Sequence, residues 1–203
     1  MNFRGAPVEN DNWEMLSSQT HFRDPHLTVV TEEVRTPASD HPRRWTVVRR
    51  KAAVVVAPLT TDGRLVLVRQ ERIPIRAAIW EVPAGQIDDA AELDGTAIAA
   101  IALRELREET GYELGAGGEL VPLGHYFSSP GFTDERAHFF LARPVELSPA
   151  GDAHDESESI LDCRTFSPRE IGEMIVRSEI RDANTLSICA KLAACGFLTL
   201  APS

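Results

Sequence analysis

Cysteine is scarce in this chain. Cys163, Cys189 and Cys195 are its three cysteines in 203 residues. They are odd in number and follow no metal-ligand spacing, which excludes a disulfide framework and suits small core residues in a reduced compartment. Long apolar runs are missing too. The stretch 52–59 is among the longest and is far too short to span a bilayer. No basic start leads into an apolar run, so no secretory signal is expected and a cytoplasmic location is. The six histidines are scattered, none with the spacing of a zinc protease site. Positive charge is in short supply. Against 31 Asp and Glu stand 21 Lys and Arg, a formal net charge of −10. That balance argues against nucleic acid or an anionic membrane as partner. It leaves a small anionic substrate open, because a bound cation or a basic patch reverses the sign locally.

What is present is ordinary globular composition, 43% hydrophobic and 26% charged, at a length that suits one domain with a small extension. Residues 1–42 are polar with isolated aromatics and read as an N-terminal arm or small sheet. Residues 43–203 read as the main domain. Between positions 43 and 76 nine basic residues (Arg43, Arg44, Arg49, Arg50, Lys51, Arg64, Arg69, Arg72 and Arg76) are opposed only by Asp62 and Glu71. They form either a solvated sheet face or a phosphate-facing surface.

Strands are expected at 27–34, 52–58 and 65–69, with Thr61-Asp62-Gly63 as a hairpin turn between the last two. Residues 37–42 read as a loop, and 138–142 and 160–166 as further strands. An alanine-, leucine- and glutamate-rich helix is predicted over 96–110, stopped by Gly111 in a left-handed conformation. Ser167-Pro168-Arg169-Glu170 is a capping box that opens a helix to about residue 177. A last helix runs over 184–195. Early strands with interleaved and late helices predict a mixed α/β (α+β) sandwich.

The chemistry concentrates in Arg104-Glu105-Leu106-Arg107-Glu108-Glu109-Thr110-Gly111-Tyr112. On a helix, Glu105, Glu108 and Glu109 share one face, and like charges there repel by a few tenths of a kcal/mol per neighbouring pair, roughly. Arg104, four residues before Glu108, offsets part of this, and a divalent cation would offset far more. Mg²⁺ takes oxygen ligands and bridges carboxylates to phosphates. On spacing alone, a solvated acidic face and a metal site both remain open.

With Ala84 and Gly85 upstream, the segment resembles the Nudix box, G-x5-E-x7-R-E-U-x-E-E-x-G-U with U apolar. Arg104, Glu105, Leu106, Glu108, Glu109, Gly111 and Tyr112 fall on that pattern. Upstream the chain departs from it. Gly85 lies nineteen residues before Arg104 instead of fourteen. Position 96 is threonine where the pattern has glutamate, and Glu92 in a longer loop is the expected substitute. Val68-Arg69-Gln70-Glu71-Arg72, Glu81-Val82-Pro83-Ala84-Gly85, Ser129-Pro130-Gly131-Phe132-Thr133-Asp134-Glu135 and Asp182-Ala183-Asn184-Thr185-Leu186 resemble landmarks of the ADP-ribose pyrophosphatase (ADP-sugar diphosphatase) subfamily.

The resemblance implies a Nudix-type α/β/α sandwich over 43–203 and a small N-terminal β arm that builds a homodimer. It implies Mg²⁺-dependent (or Mn²⁺-dependent) hydrolysis of the pyrophosphate of a nucleotide sugar, foremost ADP-ribose to AMP and ribose 5-phosphate. ADP-glucose, GDP-mannose or a non-catalytic nucleotide-binding module are the alternatives. Glu105 and Glu109 become the principal metal ligands, with Glu108 beside them and the carbonyl of Ala84 and Glu158 as further ligands. Glu156 becomes the catalytic base, in an acidic loop that otherwise reads as surface, and Arg104 orients the glutamates. Arg69, Arg72, Glu81, Pro130 and Gly131 become substrate contacts. For the two arginines, salt bridging on a sheet edge is the plainer reading. Trp45, Trp80, Phe127 and Phe132 either stack on adenine or serve as packing.

Overall fold

The computed structural model describes residues 12–88, 93–149 and 159–200. Among these lie two sheets and three α-helices. The first sheet is antiparallel, with β1 (Glu14–Arg23), β2 (Leu27–Thr36) and β3 (Ser39–Arg50) in that order. The turn between β2 and β3 occupies only Pro37 and Ala38. Residues 39–42, expected as loop, are therefore strand. Proline at position 42 is tolerated because β3 is an edge strand of this sheet and loses no ladder bond there. The boundary drawn at residue 42 falls inside β3, and the arm's sheet continues to Arg50.

The second sheet holds β4 (Ala53–Thr60), β5 (Leu65–Arg72), β6 (Ala77–Glu81), β7 (Ala84–Gln86), β8 (Tyr112–Phe127), β9 (Arg136–Leu147) and β10 (Ile160–Phe166). Its main order is β10-β5-β4-β9-β8. The β4–β9 pair is parallel and the others are antiparallel, so the sheet is mixed. Valine-rich β4 runs through its centre, buried from 54 to 59. The Asp62-Gly63 turn forms as its chemistry requires: Gly63 adopts φ +76° and donates to the Thr60 carbonyl. The long β8 is not legible in the sequence, because Gly115, Gly117 and Gly118 break its pattern and the register slips between Leu114 and Glu119.

Strands β4 and β5 pair only beside their hairpin, at Leu59 and Leu65. Beyond it they part. β6 pairs with β5 and β7 pairs with β4, so the chain fills the fork and crosses from one side to the other at Val82 and Pro83.

Strand alternation gives the sheet two apolar faces. On one lies α1 (Gly95–Thr110), whose Ile98, Ala102 and Leu106 pack on Val54, Val56 and Val66. On the other lie α2 (Pro168–Val176) and α3 (Ala183–Ala194), whose Ile171, Ile188 and Leu192 pack on Val55, Leu67 and Phe139. Each such aliphatic side chain contributes about 1.5–3 kcal/mol by burial. The result is a mixed sheet between helices, the α/β/α sandwich that the resemblance implies. Helix ends follow local chemistry. Asp94 caps α1 by accepting from Thr96 and Ala97, Gly111 ends it at φ +71°, and the Ser167–Glu170 capping box opens α2. No described helix is long and apolar enough to cross a membrane.

Candidate active site

Helix α1 turns two of its glutamates inward. Glu105 and Glu109 are 6% and 2% exposed, whereas Glu108 is half-buried. The expected shared face is thus graded: two carboxylates sit under the helix and the third at its flank. Arg104 lies over them, donating to Glu105 Oε1 at 2.6 Å and pairing with Glu108 at 3.5 Å. The hydrogen bond to Glu105, ahead of the charge of Glu108, pushes the Arg104 guanidinium up. Arg104 thus contacts Glu105 and Glu108.

Gly85 explains how a carboxylate fits beneath the helix. A Cβ at that position would lie 2.2 Å from Cδ and 2.3 Å from Oε2 of Glu105. Only glycine lets the backbone approach so closely. Next to it, the Ala84 N–H donates to Glu109 Oε2 at 2.9 Å. Gly85 and Ala84, far from α1 in sequence, thus form the floor of the carboxylate site.

Arg72 and Glu81 meet across the β5–β6 ladder, with Nε donating at 2.9 and 3.1 Å and Nη2 at 2.5 Å. Burial pushes the Glu81 carboxyl above its usual range, and Arg72 opposes this only in part. The bond to Glu81 raises Arg72 in turn, and Glu109 lies close enough to add to it. Both were expected at substrate, and their pairing adds the plainer expected role for Arg72. It still leaves guanidinium donors unused. Arg69 is three residues from Arg72 in a regular strand and so faces the other way, beside Trp80 and Asp162. The structure does not bring it to the glutamates.

Residues 129–135 join β8 to β9 at the end of the sheet where Ala137 pairs with Ala53, and Ala53 with Gln86. Strand β3 fastens this loop. Trp45 Nε1 donates to the Gly131 carbonyl at 2.9 Å, and Val48 N–H to Phe132 at 2.8 Å. Arg49 bridges Asp134 and the buried Glu32, and Arg50 pairs with Glu135. Trp80 packs edge-on against Phe166, while Phe127 and Phe132 are exposed. In the basic stretch, Arg49, Arg50, Lys51, Arg64 and Arg72 all sit in ion pairs. Five of the nine basic residues are thus engaged in ion pairs within the fold. Glu92, Glu156 and Glu158 lie outside the described residues.

Sequence reasoning missed two residues. Asp94 takes over the helix-capping place, and its Asp-Gly-Thr context before an alanine-rich run was a readable signal. Thr185 is fully buried and accepts from the Val82 N–H at 3.0 Å. It stands in the landmark at 182–186, but nothing local announces its bond to Val82.

The donor set around Gly85 consists of hard oxygens, as a divalent cation of the Mg²⁺ type requires. Glu105 packed on Gly85 and Glu109 held by the Ala84 N–H are two buried carboxylates of the donor type such an ion takes. Among the described residues no group of three Asp, Glu, His or Cys side chains is gathered to hold one alone, so further oxygens must come from elsewhere.

The NUDIX domain family matches residues 48–186, and the chain belongs to it. It is a Nudix hydrolase acting on pyrophosphate bonds, and Nudix hydrolases generally use divalent metal ions. The chain is 29% identical over 170 residues to an ADP-ribose pyrophosphatase of Bacillus subtilis, covering 84% of this chain and 86% of that one. It is 30% identical over 186 residues to an ADP-ribose pyrophosphatase of Mycobacterium tuberculosis, covering 92% and 84%. A crystal structure of an ADP compounds hydrolase superposes with a TM-score of 0.68 at 20% identity, over 92% of this chain and 97% of that one, and so shares the fold.

Proposed function

We propose that this chain hydrolyses the pyrophosphate of a nucleoside diphosphate sugar, ADP-ribose foremost, giving AMP and ribose 5-phosphate. The observation that carries the reading is the pair of buried carboxylates, Glu105 and Glu109, seated on Gly85 and Ala84 with Arg72 alongside. Mg²⁺, with Mn²⁺ as substitute, would be held by Glu105, Glu109, Glu108, the Ala84 carbonyl and Glu158. When bound, it polarises phosphoryl oxygens and offsets charge on the leaving phosphate. Arg104 keeps Glu105 and Glu108 in place. Arg72 offers its remaining donors to a phosphate, and Glu81 fixes the guanidinium plane. Residues Pro130 and Gly131 carry the loop that faces the substrate. Glu156 takes the proton of the attacking water.

The reading includes a homodimer of this chain acting in the cytoplasm, and the arm supports the dimer. Strand β1 is exposed along its whole length, and its Met15 and Phe22, with Trp13 just before it, are more than half exposed. An unprotected edge strand carrying exposed apolar side chains is a pairing surface. Light scattering should give twice the mass of one chain.

The activity test is a panel of ADP-ribose, ADP-glucose and GDP-mannose with Mg²⁺, read as nucleoside monophosphate released. ADP-ribose should show the highest kcat/KM. A preference for GDP-mannose would overturn the substrate. Release from none of them would replace the reading by a nucleotide-binding module.

A further inference from the structure

The crossover at Val82 and Pro83 poses an accounting problem. A buried backbone N–H without a partner keeps its full desolvation penalty, and between two ladders no strand supplies an acceptor. Pro83 has no N–H, and its carbonyl accepts from Val56 at 2.9 Å. The Ala84 N–H goes to Glu109. The Val82 N–H goes to the hydroxyl of Thr185 at 3.0 Å, and that hydroxyl donates in turn to Asp182 Oδ2 at 2.8 Å. The same carboxylate oxygen accepts the Thr185 N–H at 2.7 Å as the cap of α3. Val82 is 2% exposed and Thr185 is fully buried, so water cannot replace either bond.

We infer that Thr185 is a positioning residue of the pyrophosphatase site: its hydroxyl, held by Asp182, fixes the Val82–Pro83 crossover and thereby the two site groups on either side of it. On one side stands Glu81, paired with Arg72. On the other stands Ala84, whose N–H holds Glu109. The hydroxyl is suited to this because it accepts and donates at once. The inference rests on the proposed activity for its kinetic consequence, though not for its structural one.

The test compares Thr185→Val with Thr185→Ser in the full chain. Valine keeps the shape and removes the acceptor, whereas serine keeps the acceptor. With ADP-ribose and Mg²⁺, kcat of Thr185→Val should fall about tenfold with KM within about twofold, a displacement effect at the reacting groups. Thr185→Ser should keep more than about half of wild-type kcat. Amide exchange read residue by residue should accelerate at Val82 and Ala84 in Thr185→Val, but not at Ile188 within α3. Unchanged kcat and unchanged exchange at Val82 would overturn the inference. Equal loss of protection at Val82 and Ile188 would also overturn it, since that marks general loosening. If wild-type protein releases no monophosphate from any nucleotide sugar, the substrate reading alone fails, and exchange at Val82 and Ala84 still decides the positioning role.

Discussion

The two faces of the large sheet are built from the same kinds of strand and differ in what they bury. Under α2 and α3 the contact is apolar apart from Thr185, with Val55, Leu67, Phe139, Leu141, Ile188 and Leu192 at or near zero exposure. Under α1 the apolar contact of Val54, Val66 and Leu106 gives way at the fork to Glu81, Glu105 and Glu109. Burying a carboxylate costs several kcal/mol unless it is hydrogen-bonded or paired. Each of the three has such a partner: Arg72, Arg104 and the Ala84 N–H. One face therefore holds the fold together, and the other gives up stability to keep charge in a defined place.

The contrast breaks most sharply at Glu109. Glu109→Gln removes the charge of a proposed metal ligand, worth several kcal/mol at the transition state, on the order of a thousandfold in kcat. Its melting temperature should stay near that of wild type or rise, because a buried charge is gone. Loss of fold with unchanged activity per folded molecule would erase the distinction between the faces. Leu192→Ala probes the opposite face. It should cost about 2–5 kcal/mol in urea unfolding with kcat of the folded protein unchanged.

Gly85→Ala tests the floor of the site. The added methyl meets the end of a flexible side chain, Glu105, and not backbone. The fold should absorb it with little change in melting temperature, while the displaced carboxylate lowers kcat about a hundredfold. Full activity would show that Glu105 need not lie on the strand. The smallest effect concerns pH. Burial raises the Glu81 carboxyl, so the folded state binds the extra proton. Stability should fall as pH rises from the ordinary carboxylate range through Glu81's own raised value. Unfolding free energies of wild type and Glu81→Gln, followed across that window, should converge or cross. A constant gap would place the titration elsewhere.

Legibility divides along the same line. α1, its stop at Gly111, the capping box of α2 and the Asp62-Gly63 turn were readable because each depends on residues a few positions apart. The glutamates were readable as a set for the same reason. Their grading into two inward and one lateral was not, since it depends on which helix face meets β7. Arg69 and Arg72 look alike in sequence, and only the regular pleat of β5 sends them to opposite faces. Residues 39–42 looked like loop because proline and charge dominate there, and an edge position lets strand win.

The segment 104–112 determined by itself that this chain carries a helix of clustered carboxylates, because helical spacing is local geometry. Tertiary structure alone decided that those carboxylates lie buried on Gly85, that Arg72 faces them while Arg69 does not, and that Thr185 closes the backbone accounts of the crossover. The physical reason is that burial and hydrogen-bond partnership across a forked sheet depend on which distant strands are brought together, and no short stretch of residues encodes that.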